Sequence, residues 1–145
     1  MNYLVFLDLG AGELEKILSG VKSMVIKEDK PEDTTSQSLM PGDNLYFLRN
    51  TVARDIRVKA TIKSIQAVSS GQTSDISSQL KEMQHKLQLN EEQFMYWCTK
   101  KQVLLVEFEC AQKIGMIHLD LDEVKGQSDW IAFQAFSVIT SRMFQ

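Results

Sequence analysis

Leu14-Glu15-Lys16-Ile17-Leu18-Ser19-Gly20-Val21-Lys22-Ser23-Met24-Val25-Ile26-Lys27 is the stretch on which the reading of the fold turns. Leu14, Ile17, Leu18 and Val21 recur at helical spacing, and Gly20 supplies the left-handed C-terminal residue that a Cβ would resist. Beyond the glycine, Met24, Val25 and Ile26 suit a strand. The stretch predicts a helix over about 12–19, a corner, and a strand over about 22–28 carrying Lys22 and Lys27. Lysines are ordinarily solvated surface. A lysine just after such a corner nevertheless projects from a rigid junction, where a scaffold can aim a charge.

The segments upstream and downstream alternate in character. Residues 3–9 are mostly apolar and read as a first strand, broken by Gly10-Ala11-Gly12. Residues 28–38 are polar and aperiodic, hence a loop. Pro41-Gly42-Asp43 is a tight-turn signature launching a strand over 44–49. After a turn at 50–53, residues 54–68 form the clearest strand. Ile56, Val58, Ala60 and Ile62 alternate there with Arg57, Lys59, Thr61 and Lys63. Period two sends the apolar set inward and the three cations outward, with Arg49 and Arg54 near the turn. That basic face suits a phosphate backbone, and equally an edge strand protected by lysine.

Residues 69–74 are a connector, and Ser74 or Asp75 can cap a helix with Ile76, Leu80, Met83 and Leu87 on one face. His85 falls off that stripe. Asn90 caps a second helix, which Phe94, Met95, Trp97 and Cys98 pack. Two further strands are expected over 103–110 and 113–121, with Leu104, Val106, Phe108 and Cys110 facing the core. Gly126-Gln127-Ser128 is a turn, and 129–144 fits strand and helix equally well.

Composition bounds the answer. The 145 residues are 43% hydrophobic and 24% charged, with a net charge of −3, the balance of an ordinary globular domain. Any nucleic-acid contact must come from a local basic face. Apolar runs are far too short to cross a membrane, and the N-terminus lacks a signal-peptide pattern, so a cytoplasmic protein is expected. Cys98 and Cys110 lie in unrelated patterns and read as buried thiols; with only His85 and His118, no metal site and no cofactor is expected. A P-loop, a dinucleotide fingerprint and a nucleophile elbow are all missing.

In this order the segments resemble the ASCH domain, a branch of the PUA-like superfamily of small β-barrels. The family pattern after the first helix is Gly-x-Lys-x-x-Glu-x-Arg. Here it stands as Gly20-Val21-Lys22-Ser23-Met24-Val25-Ile26-Lys27, with Val25 in place of the glutamate and Lys27 in place of the arginine. Pro41-Gly42-Asp43 before Leu45-Tyr46-Phe47 resembles the family's turn into a strand, and Gln102 to Cys110 its final hydrophobic strand. The resemblance spans about 13–112 of the chain.

It implies one domain over 1–145, with 113–145 as an extension. The fold class would be α+β: a PUA-like mixed barrel of about six strands, a helix after the first strand, and a two-helix insert. It also implies a cleft beside the lysine corner that takes RNA or nucleotides. One compact bacterial branch hydrolyses acetylcytidine, with a group resembling a lysine, a threonine three residues on and a glutamate from the insert. These positions fall on Lys22, Val25 and close to His85. Valine offers no nucleophile, and Ser23, one residue along a strand, points the other way from Lys22.

Three readings follow. The first is a non-catalytic binding module for RNA or a nucleotide-like small molecule, carried by Lys22, Lys27, Arg49, Arg57, Lys59 and Lys63, with Tyr46 or Trp97 stacking on a base. The second is an amidohydrolase using Lys22, Ser23 and His85 or Glu82. The third is a protein-interaction domain using the aromatic tail Trp130, Phe133, Phe136 and Phe144. The first is adopted, with a monomer as the default state.

Overall fold

The computed structural model describes residues 1–7, 12–30, 32, 37–49, 55–70, 76–118 and 130–133. The breaks expected at 10–11 and 50–53, the connector at 71–74, the turn at 126–128 and most of 129–144 lie outside the described residues.

Alternation builds a six-stranded sheet from β1 (Asn2–Leu7), β2 (Met24–Glu28), β3 (Asn44–Arg49), β4 (Asp55–Ser69), β5 (Gln102–His118) and β6 (Trp130–Phe133). The spatial order is β2-β5-β4-β3-β1-β6. β1 runs parallel to β3, and the other neighbours are antiparallel. The sheet curls into a half-barrel whose end strands, β2 and β6, are not hydrogen-bonded to each other. This is the mixed α+β barrel that the sequence predicts.

Tyr3, Val5, Leu45, Phe47, Val58, Ile62, Val25, Val106 and Phe108 fill the concave side. Helix α1 (Glu13–Leu18) plugs that side with Leu14 and Ile17. Gly20, at φ 85°, ends the turn after α1, and the Lys22 N–H returns to the Lys16 carbonyl at 3.0 Å. Gly42, at φ 95°, does the same work in the turn before β3.

The convex side of β2, β4 and β5 is also covered. Helices α2 (Ile76–Glu82), α3 (Gln84–Leu87) and α4 (Glu91–Cys98) form the insert. Ile76, Leu80 and Leu87 pack there against Met24, Ile26, Val103 and Leu105. Strands buried on both faces read as continuous apolar runs, which is why Val103 to Val106 does not alternate.

The structure corrects the sequence reading in several places. The insert holds three helices rather than two, because the helix expected through Leu87 breaks at Met83 into α2 and α3. The strands expected at 103–110 and 113–121 are one strand of 17 residues through His118. Cys110 adopts φ 57° inside a bulge, where Glu109 pairs with Thr61 and Gln112 with Lys59. The bulge reverses the phase, so Cys110 is exposed, and Cys98 is half-buried. Finally, a register shift beside Arg57 sends Ile56 to the convex cluster of Leu4, Tyr46 and Leu48, while Val58 stays inside.

Two predictions follow from the packing. Asn90 Oδ1 accepts from the Gln93 N–H at 2.8 Å, and Gln93 Oε1 accepts from the Asn90 N–H at 3.0 Å, a reciprocal capping box. Asn90→Ala should lower stability by about 1 kcal/mol, read as a fall in the urea midpoint. Tyr3 is fully buried with its hydroxyl 3.0 Å from Ser38 Oγ, and burial raises its phenol above the ordinary value. The unfolded chain then loses that proton first, so stability held below pH 10.0 declines as the pH climbs from there towards the raised value. Tyr3→Phe should flatten this alkaline limb in pH-dependent unfolding.

Candidate functional site

Ser19, Gly20 and Val21 of the corner after α1 are exposed, but the Lys22 side chain turns inward rather than into solvent. Lys22 is 1% exposed. Its Nζ lies 3.4 Å from Glu13 Oε1 and donates to the Leu87 carbonyl. The neighbouring corner groups extend the same contact: Lys16 Nζ reaches the Gln88 carbonyl at 3.5 Å, and the Ser23 N–H the Lys86 carbonyl at 3.0 Å. Three successive carbonyls at the end of α3, which a helix cannot satisfy itself, are thus met by the corner. Lys22 therefore also holds the insert in place.

A cavity of about 470 Å³ opens beside this junction. Val5, Phe6 and Leu7 come from β1, Val25 to Glu28 from β2, and Trp130 from β6, so the cavity occupies the opening between the two ends of the sheet. Glu13 and Lys22 line it from the corner, and Leu89, Gln93, Tyr96 and Trp97 from the insert. Lys30 and Glu32 complete the lining. Among the described residues the lining holds three lysines (22, 27 and 30) and three glutamates (13, 28 and 32), which cancel.

Burial divides these charges. Lys22, Lys27 and Glu13 are all buried, whereas Lys30 is exposed and Glu28 half-buried. Lys27 lies on the Val25 side of β2 by alternation, and its Nζ is 3.4 Å from the Glu28 carbonyl. At the mouth, Lys100 Nζ sits 3.3 Å from Glu28 Oε1 and 4.5 Å from the centre of the Tyr96 ring. The Tyr96 phenol, and after it Glu28, raises the Lys100 ammonium above its usual range. Tyr96 and Trp97 meet edge to face at 5.0 Å. Both tryptophans of the chain, Trp97 and Trp130, line the cavity.

Of the residues singled out from sequence, the cavity brings together Lys22, Val25, Lys27, Trp97 and Trp130. Ser23 does not line it; its backbone is tied to Lys86 and Phe108. His85 is exposed on α3, away from the lining. Tyr46 is buried on the convex face with Lys59 Nζ 5.8 Å above its ring, and Lys63 is exposed, 3.9 Å from Glu107. Arg49 pairs with Leu7 at the end of β3, and Arg57 sits at the β4 register shift; only their strand positions are described. Sequence reasoning missed Glu13, Gln93 and Tyr96. Asn90-x-x-Gln93 before an apolar run is a capping-box signature that would have fixed Gln93 at the start of α4.

The fold and the cavity define a small α+β half-barrel domain with an open recess at the seam of its sheet. The sequence matches no family model and no curated protein. Solved structures do match. An ASCH protein from Zymomonas mobilis superposes with a TM-score of 0.67 at 15% identity, covering 99% of this chain and 93% of that one. A tyrosine-to-phenylalanine variant of it gives 0.67 at 15%, over 99% and 96%. A serine-to-alanine variant gives 0.66 at 14%, over 99% and 94%. The chain has an ASCH-like fold. No described helix is long and apolar enough to cross a membrane.

Removing the Lys22 ammonium leaves the Glu13 carboxylate buried without it. Lys22→Met should cost about 3 kcal/mol in urea unfolding, and adding Glu13→Gln should recover part of that loss. A full-cost double variant would show that the pair is not coupled.

Proposed function

We propose that this chain is a non-catalytic module that binds a nucleoside unit in the cavity, either free or as an unpaired nucleotide of RNA. The observation that carries this reading is the juxtaposition of an aromatic wall with buried hydrogen-bonding charges in one recess: Tyr96, Trp97 and Trp130 beside Lys22, Lys27 and Glu13. An aromatic face holds a base by stacking, and converging polar groups fix its orientation. The volume is within the usual range for small-molecule sites, about 300–1,000 Å³. The fold shared with the ASCH proteins is consistent with such a guest.

Two features favour binding over amide hydrolysis. Among the described lining residues there is no serine, threonine, cysteine or histidine, and the Tyr96 phenol is the one hydroxyl. The position that resembles the catalytic threonine of the acetylcytidine-hydrolysing branch is Val25, itself part of the wall. The balanced lining also favours a single nucleoside over a long run of phosphates. Lys59 and Lys63, which would serve a strand, do not line the cavity.

Because both tryptophans face the recess, their fluorescence reports its occupancy. Titration with the four ribonucleosides should give saturable quenching for at least one. Its affinity should vary little between about 50 and 200 mM salt, where a phosphate-driven site would lose orders of magnitude. No response to any nucleoside or to short single-stranded RNA would overturn the reading. Turnover of acetylcytidine abolished by Lys22→Ala would overturn its non-catalytic part.

A further inference from the structure

Tyr96 stands apart from the other aromatic groups of the insert. Phe94 and Trp97 pack against the convex cluster, which does not include Tyr96. Of the three tyrosines in the chain, Tyr3 and Tyr46 are buried, whereas Tyr96 is 53% exposed while lining the recess. A half-exposed ring on a helix exchanges between rotamers unless something holds it. Among the described residues, two groups bear on this ring. Trp97 meets it at 5.0 Å and 82°, and the Lys100 ammonium lies 4.5 Å from its centre.

The chain around Lys100 places it for this contact. It follows Tyr96 by four positions, the spacing that brings side chains together on a helix surface. Its N–H closes the last turn on the Trp97 carbonyl at 3.1 Å. Two residues on, the Gln102 carbonyl accepts from the Asp29 N–H at 3.0 Å, which seats the start of β5 against the end of β2. Lys100 Nζ thereby reaches Glu28 Oε1 at 3.3 Å, nearer than Lys30 at 3.9 Å, and its side chain is 21% exposed against 55% for Lys30. Glu28 lines the recess from β2 and Tyr96 from α4, while Lys100 is not among the lining residues. One cation thus spans the mouth between its two sides without entering the recess.

We propose that Lys100 is a positioning residue: by tying the Tyr96 ring to Glu28 across the mouth, it sets the insert's side of the aromatic wall before a guest arrives. The gain is preorganisation. A ring already held loses little rotamer freedom when a base meets it, and that loss would otherwise be subtracted from affinity. Lys100 acts through Tyr96 and touches no guest. Its role in binding rests on the nucleoside reading above and deepens it, whereas the tether itself can be read with no ligand present.

The test is fluorine NMR of the chain grown with fluorotyrosine, which gives one signal for each tyrosine, with Tyr96 assigned from Tyr96→Phe. In the ligand-free chain, Lys100→Met should move the Tyr96 signal to the narrow, solvent-averaged position of an unfolded tyrosine and leave the other two in place. The urea midpoint should barely change, as expected where a part-exposed ion pair is lost. Lys100→Arg keeps a cation that stacks on an aromatic ring, so the signal should stay where it is. Tryptophan quenching should then show nucleoside affinity about fivefold weaker in Lys100→Met, the size of ordering one side chain, and within about twofold of wild type in Lys100→Arg. A lowered urea midpoint with all three signals shifted would show a general structural role and overturn the proposal. A Tyr96 signal unmoved by Lys100→Met, or moved as far by Lys100→Arg, would overturn the tether. A moved signal with nucleoside affinity unchanged would overturn its role in binding. Silence towards every nucleoside would overturn the nucleoside reading, and the fluorine signal would still decide the tether by itself.

Discussion

A buried ammonium holds this architecture together. Taking a lysine out of water costs several kcal/mol, so Lys22 can remain there only with charged and polar partners. Glu13, from the start of α1, and the Leu87 carbonyl, from the end of α3, are two of them. The same contact closes both ends of a problem: α3 is four residues long and leaves its last carbonyls unmet, and the corner needs acceptors. Lys16 and the Ser23 N–H complete the arrangement on either side. The docking of the insert and the floor of the cavity are therefore one interaction. Neither can be altered alone.

Among the described residues the sheet stays open, and the cavity lies at that gap. β2 and β6 end the order without pairing, and the recess draws on both. Covering β2 and β5 on their convex side with the insert brings α4 to the rim of that gap. The capping box then aims α4, and Tyr96 and Trp97 follow one turn after Gln93. Local chemistry at Asn90 thus sets the position of an aromatic wall. The mouth is tied by Lys100, which bridges the Tyr96 ring and Glu28 at the end of β2.

Much of this was legible in the sequence. Gly20 and Pro41-Gly42-Asp43 marked turns whose glycines do take positive φ. Asn44 to Arg49 is a strand as the pattern required, and Ile76, Leu80, Met83 and Leu87 do gather in one cluster, although the single helix expected for them breaks at Met83 into α2 and α3. What periodicity could not show was where alternation slips. A bulge at Cys110 looks like the end of one strand and the start of another, because a single extra residue inverts every side chain beyond it. The site was harder to read. Lysine is a surface residue by composition, and only the tertiary partners Glu13 and Leu87, 9 and 65 positions away, reveal that Lys22 is not. The alternating cations of β4 made a stronger pattern than the cavity residues did, since a strand displays its charges in sequence and a recess gathers its lining from separate helices, strands and loops.

That contrast bears on what kind of partner the domain can take. A chain of net charge −3 that bound RNA through its backbone would need concentrated cations where the strand runs. Two of the strand cations make local contacts instead, Lys59 over Tyr46 and Lys63 towards Glu107. Inside the recess, Lys22 and Lys27 are partly offset by Glu13. Affinity there must come from stacking and matched hydrogen bonds, which are short-ranged and read the identity of a guest more than its charge. A guest in the proposed site would meet the same ammonium that docks the insert. By mass action its binding to the folded chain alone adds to stability, as RT ln(1 + [L]/Kd). Because Lys22 both lines the recess and docks the insert, binding at the proposed site would be thermodynamically linked to the docking of the helices.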